Sequence, residues 1–357
     1  LLSQKSICQK EFFFFLYGKF LLTTPQIATQ KINNNLIFNA MSIFDKRINY
    51  KPFEYPELMD FVDRMNQTFW VHSEVDFTAD IQDFKTNLTA VEKEVVKRSL
   101  LSISQVEVGV KNFWGDLYKH FPKPEINNLG STFAESETRH SEAYSRLIEV
   151  LGYNEAFNEI YSIPVFKKKI DMIDEFMKTN DDIIWKLIFF VIVIENSSLF
   201  SQFANILSFT RFKGYLKNTS NIIAWTSIDE QTHANAGIYL INKLEEEGFI
   251  NGTVKAEIRE AVKTYIDYEE ELLDWIYEKG ELDFFTQKDM MNFMKHRVDD
   301  ALIKMNVEKI YNISNEEYRA MLWFDEDVFS NELDDFFAKR PTAYTKHDKS
   351  ISANDLF

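Results

Sequence analysis

The chain has 357 residues, is 45% hydrophobic and 15% aromatic, carries a formal net charge of −16 and contains one cysteine. That much apolar material excludes intrinsic disorder, and an acidic chain has the wrong sign to neutralise phosphates, so no nucleic-acid partner is expected. A single cysteine makes no internal disulfide, which fits a reducing, cytoplasmic setting.

In chain order, the first forty residues differ from the rest. Lys5, Lys10, Lys19 and Lys31 oppose one acid, Glu11, and Met41-Ser-Ile-Phe44 reads as an ordinary start. The apolar stretch 12–22 is interrupted by Lys19 and is shorter than the ~20 residues a bilayer span needs. Residues 1–40, which include Cys8, are therefore expected to be a non-native or disordered leader, with no membrane anchor. The functional domain is expected over 41–338 and a flexible tail over 339–357.

Helical signals dominate the domain. Thr89-Ala-Val-Glu92 is a capping box, and a helix is expected from Thr89 to His120, before Pro122 and Pro124. A second is expected over Ile126–Leu151, closed by Gly152, then one or two over Asn154–Met177 around Pro164. Asp181–Lys213, Thr219–Gly248, Thr253–Lys279 and Phe284–Ile313 complete the set. Ten glycines and seven prolines are too few for the repeated tight turns of a β-sandwich. Helices of this length joined by short loops describe an all-α bundle.

Several carboxylates sit in unexpected company. Glu195 follows Leu187-Ile-Phe-Phe-Val-Ile-Val-Ile194, a run apolar on every helical face. A carboxylate buried there must be protonated, paired or bound to metal, unless the helix face turns to solvent. Glu137-Thr-Arg-His140 and Glu230-Gln-Thr-His233 are both Glu-x-x-His, a spacing that puts the two side chains on one helix face. One such pair is more often a surface contact than a metal site. Here each is preceded on an earlier helix by an acid in apolar or small-residue surroundings, Glu107 before Glu137 and Glu195 before Glu230. The order Glu, Glu-x-x-His, Glu, Glu-x-x-His on four long helices is the ligand set of a ferritin-like di-metal carboxylate bundle. Four carboxylates and two imidazoles suit iron or manganese rather than structural zinc.

Glu137-Thr-Arg-His-Ser-Glu-Ala-Tyr144 with Asp229-Glu-Gln-Thr-His233 resembles the small, radical-generating subunit of class I ribonucleotide reductase, over about 41–357. The resemblance implies metal ligands at Glu107, Glu137, His140, Glu195, Glu230 and His233. It implies a radical-site tyrosine at Tyr144 and a transfer path through Trp70, with Asp229 linking His140 to that indole. It also implies that Tyr344 passes the radical between subunits, that the tail ending Asp355-Leu-Phe357 docks on the large catalytic subunit, and that the chain is a homodimer. Most of that family has Asp at the first ligand, where this chain has Glu107. Glu107 together with Tyr144 resembles the dimanganese subgroup; diiron and manganese–iron centres are the alternatives. The same ligand set also serves oxygenases and fatty-acyl desaturases, and metal stores of the ferritin type, none of which requires Trp70, Tyr144 or the tail.

Overall fold

The computed structural model describes residues 42–155, 160–179 and 182–329, without the side chains of 107–110, 161, 172 and 174–179. The expected leader 1–40 with Cys8, the tail 339–357 with Tyr344, and the side chain of Glu107 lie outside what is described.

Every regular element among the described residues is helical. The longer ones, in chain order, are α1 (Leu58–Gln67), α2 (Thr78–Thr86), α3 (Ala90–His120), α4 (Pro124–Val150) and α5 (Pro164–Thr179). They continue as α6 (Ile183–Lys213), α7 (Lys217–Glu246), α8 (Gly252–Ile276) and α9 (Gln287–Lys304), with short α10 (Asn315–Tyr318) and α11 (Leu322–Val328) near the end. Local chemistry sets the ends. Thr89 accepts from the Glu92 amide while the Glu92 carboxylate accepts from the Thr89 amide, so the expected capping box forms. Pro124 opens α4 in its first turn, two residues before the expected start. Asp182, Asn251 and Thr286 cap α6, α8 and α9.

The last long helix is shorter than expected, ending at Lys304 rather than near Ile313. The chain then loops back, and buried Asp299 accepts from the amides of Ile310, Tyr311 and Asn312. One carboxylate here supplies the acceptors that another helical turn would have given. Helices α1 and α2 fall outside the sequence expectation altogether.

Four long helices form the bundle: α3 packs on α4 and α6, and α7 packs on α4 and α6. Close approach needs glycine at two points. A Cβ on Gly130 of α4 would sit 2.5 Å from the Trp114 carbonyl oxygen of α3. A Cβ on Gly237 of α7 would sit 2.1 Å from Val191 Cγ2 of α6. Around this frame α1 lies on α4 and α7, α8 on α3 and α6, and α9 on the middle of α6.

Helix α6 is long and apolar enough to cross a membrane by length and composition, but 78% of its most apolar window is buried inside the protein. It is the core helix of the bundle. Its middle, Phe190–Ser198, is not α-helical but wound as a π-helix, with every residue buried. A stretch of that kind inside an α-helix is uncommon and concentrates at functional sites. Glu195 lies within it.

Candidate metal centre

Five of the six expected ligands have described side chains, and they converge. Glu137 and His140 come from α4, Glu195 from the π-wound part of α6, and Glu230 and His233 from α7. All five are 0% exposed. Ligand atoms of Glu137, Glu195, Glu230 and His233 all lie within 4.8 Å of one another.

The arrangement has near two-fold character. His140 Nδ1 lies 3.1 Å from Glu137 Oε2 on its own helix and 2.9 Å from Glu230 Oε1 on the other. His233 Nδ1 lies 3.1 Å from Glu230 Oε2 on its own helix and 2.9 Å from Glu137 Oε1 on the other. Each of these two carboxylates thus spans both imidazoles, one oxygen to each. Glu195 Oε2 approaches His233 Nδ1 at 3.5 Å, and its other oxygen accepts from Trp114 Nε1 at 2.8 Å.

The outward ring nitrogens are also held. His140 Nε2 meets Asp229 Oδ2 at 3.1 Å, and His233 Nε2 meets Ser136 Oγ at 3.0 Å. Partners on the far nitrogen orient a ligating imidazole and leave the near one for metal. Glu137 Oε1, Glu195 Oε2 and Glu230 Oε1 are buried yet accept no well-formed hydrogen bond. A single imidazole N–H cannot serve two or three carboxylates at once, so proteins alone leave this cluster under-satisfied. Cations between the nitrogens and oxygens would satisfy it, and the donor set of hard oxygens with imidazole fits iron or manganese.

The electrostatics point the same way. Burial disfavours protonation of His140 and His233, but the charges of Glu230 and Glu137 and the hydrogen bonds to the rings outweigh it and hold both well above the usual histidine range. Burial, reinforced by the Glu230 charge, pushes the Glu195 carboxyl well above the usual range. Burial acts to raise Glu230 too, but His140 and neighbouring hydrogen bonds hold it far below. Protons here occupy places that metal cations would take.

A second constellation adjoins the first. Trp70, buried between α1 and the turn at His72–Glu74, donates its indole N–H to Asp229 Oδ2 at 2.9 Å. The same oxygen faces His140 Nε2, so Asp229 joins the indole to the cluster. The Trp70 and His140 rings are stacked, 5.7 Å apart at 12°. Arg139 lies over Trp70 and reaches within 3.7 Å of Asp229 Oδ2. Tyr144 is fully buried, its ring 6.4 Å from that of His140. Every described residue of the expected set is therefore at or beside one site; Glu107 lies on α3, the remaining helix of the four, and Tyr344 is outside the described residues. Sequence reasoning missed Trp114 and Ser136, which touch the cluster from positions carrying no motif, and Arg139, which occupies a variable position inside the first Glu-x-x-His.

An all-α bundle in which two Glu-x-x-His helices and a third, acid-bearing helix meet at a buried carboxylate–imidazole cluster is a ferritin-like di-metal carboxylate fold. Residues 47–318 match the family model of the ribonucleotide reductase small chain, and the chain belongs to that family. It is 25% identical over 332 residues to a probable ribonucleoside-diphosphate reductase small subunit of Invertebrate iridescent virus 3, covering 87% of each chain. It is 26% identical over 298 residues to the ribonucleoside-diphosphate reductase subunit beta of Chlamydia pneumoniae, covering 77% of this chain and 83% of that one. Among solved structures, the dimanganese(II) NrdF of Streptococcus sanguinis matches with TM-score 0.68 and 18% identity, over 77% of this chain and 97% of that one. The ribonucleotide reductase R2 subunit of Clostridium botulinum matches with TM-score 0.70 and 17% identity, over 76% and 88%.

Proposed function

We propose that the chain acts as the small subunit of a ribonucleoside-diphosphate reductase, holding a dinuclear metal centre at Glu107, Glu137, His140, Glu195, Glu230 and His233. The observation that carries the reading is the double bridge of Glu137 and Glu230 across both imidazoles, with Asp229 tying His140 to Trp70. When bound, a redox-active metal pair supplies a one-electron oxidising equivalent. The rest is the work of side chains. Trp70 is placed to give up an electron towards the cluster, and its N–H becomes strongly acidic on doing so. Asp229 Oδ2, at 2.9 Å, is positioned to take that proton or to keep it in a shared hydrogen bond. His140 Nε2, on the same oxygen, keeps the carboxylate in place and couples its charge to the centre. Burial of Trp70, Tyr144 and the whole cluster keeps water from quenching an oxidised side chain.

On this reading the oxidising equivalent leaves through Trp70 and then Tyr344 to a large subunit that carries the nucleotide and the reactive cysteines. The tail docks there, and the chain works in the cytoplasm as a homodimer. A ligand set in which Glu107 replaces the family's usual Asp while Tyr144 is retained favours a dimanganese centre over diiron or manganese–iron. An oxygenase, a desaturase or a metal store would use the cluster but has no need of the stacked Trp70–Asp229–His140 arrangement.

The metal reading is tested by electron paramagnetic resonance of the oxidised protein beside its Tyr144→Phe variant. A mixed-valence dimanganese signal that persists in the variant, with activity retained, is expected. A signal that vanishes with Tyr144, together with loss of activity, would place the radical on that tyrosine and favour diiron.

A further inference from the structure

The π-wound segment of α6 carries Glu195, and something must hold it in that register against the ordinary α-helical alternative. Buried Arg297 of α9 does this in a way that involves a second ligand helix. Its Nε donates to the Asn196 carbonyl oxygen at 2.8 Å, next in sequence to Glu195. The Asn196 side-chain amide donates back to the Arg297 carbonyl oxygen at 2.7 Å, so the two residues are locked reciprocally. The other arm of the guanidinium donates to Gln231 Oε1 at 2.9 Å, next in sequence to Glu230. Its plane lies over the Phe200 ring, 3.4 Å from the centroid.

Three features set this arginine apart. It is 6% exposed. Among the described residues no carboxylate lies within ion-pair distance of it, and burial pulls its pKa down to about 10. A buried guanidinium without a close counter-ion is costly, so its hydrogen bonds must be worth keeping. Those bonds go to the neighbours of two expected ligands on two different helices. A planar fork with donors in fixed directions is suited to fixing the distance between two partners, which a lysine ammonium is not.

We propose that Arg297 is a positioning residue that sets the spacing of Glu195 and Glu230, and thereby the metal position shared by Glu195, Glu230 and His233. This rests on the di-metal reading above. The other position, beside His140, takes one oxygen each of Glu137 and Glu230 and none of Glu195, so Arg297 reaches it through Glu230 alone. Loss of Arg297 should therefore weaken one metal position more than the other. A residue needed only for packing would weaken both alike, through general destabilisation.

The test is titration of the metal-free protein with Mn(II), read by calorimetry and by metal analysis after desalting, for the parent, Arg297→Met, Arg297→Lys and Gln231→Leu. The parent should take up two ions per chain. Arg297→Met should keep one and bind the second about 10- to 100-fold more weakly, the usual cost of losing a residue that orients a ligand. Arg297→Lys should recover only part of the loss, and Gln231→Leu, which removes one arm without disturbing α9, should show a smaller loss at the same position. Two ions bound with parental affinities in a folded Arg297→Met, or equal weakening of both, would overturn the proposal. Should Arg297→Met fail to fold, the same outcomes in Gln231→Leu decide it. A parent that binds fewer than two ions would instead count against the di-metal reading itself.

Discussion

Asp229 Oδ2 is the atom on which the account turns at the scale of single residues. It faces Trp70 Nε1 at 2.9 Å and His140 Nε2 at 3.1 Å, and both contacts need an acceptor. Asn in its place keeps the size and can keep an oxygen at that point, but the uncharged amide is a weaker acceptor and cannot take the indole proton. Asp229→Asn is expected to keep two metals per chain while activity with the large subunit falls at least tenfold, roughly the scale for a residue that orients a metal-bound histidine. Metal analysis alongside a reductase assay separates the two readouts. The ligands make a second prediction. In the metal-free protein His140, His233 and Glu195 are all held protonated above their ordinary ranges. A histidine with a raised pKa stabilises the fold fully below the unfolded value, near 6.5, and that stabilisation is lost as pH rises through the folded value. A carboxyl with a raised pKa costs stability over the same upward sweep. Metal has to displace these protons, so its binding strengthens as pH rises. The rise in Tm on adding Mn(II) is therefore expected to grow between pH 6 and pH 8, and a pH-independent increment would contradict the assignment of these side chains as ligands.

The π-wound segment governs the scale of elements. It is pressed against α7 at Gly237, where an added Cβ would meet Val191 Cγ2 at 2.1 Å. Valine is stiff at χ1, so the backbone of one helix has to give way. Gly237→Ala is expected to cost about 1–3 kcal/mol, the usual price of overpacking, and to weaken metal binding because the displaced segment carries Glu195. Parental thermal stability and metal affinity in this variant would show that the contact is slack. The segment also marks where the sequence stops being legible. Thr89 and Glu92 announce the start of α3, and two Glu-x-x-His pairs announce α4 and α7, because capping and ligand spacing are local patterns. An apolar run such as Phe190–Ile194 looks alike in α- and π-winding, since burial on every side erases the periodicity that would tell them apart. Helix α1 does carry a legible stripe, Leu58, Val62 and Met65 at helical spacing, whereas α2, with nine residues and only Asp80 and Phe84 buried, presents no convincing pattern. The partners that complete the site come from far along the chain: Trp114 to Glu195, Ser136 to His233, Arg297 to Asn196. Only the folded chain brings those pairs together.

For the molecule as a whole, the acidic bundle belongs to the ribonucleotide reductase small-chain family, and the proposed role is to make an oxidant for use on another subunit. The division of labour rests on the expected tail. Deleting 342–357 is expected to leave metal uptake and Tm unchanged and to abolish reduction of ribonucleotides with the large subunit. A truncated chain that still supports reduction would show that neither docking nor Tyr344 is needed. The four-helix order of acids was enough to indicate the bundle, because the four glutamates fall on four separate long helices. How those helices are surrounded, and which of them α9 touches, depends on packing that no single segment records.

The cluster of Glu137, His140, Glu195, Glu230 and His233 is expected to hold two metal ions. This is tested most directly by counting bound manganese and iron per chain in the full-length protein and in a Glu230→Ala, His233→Ala double variant. Two ions per chain in the parent and at most one in the variant is the expected result. A parent that binds none, or a double variant that still binds two, would contradict it.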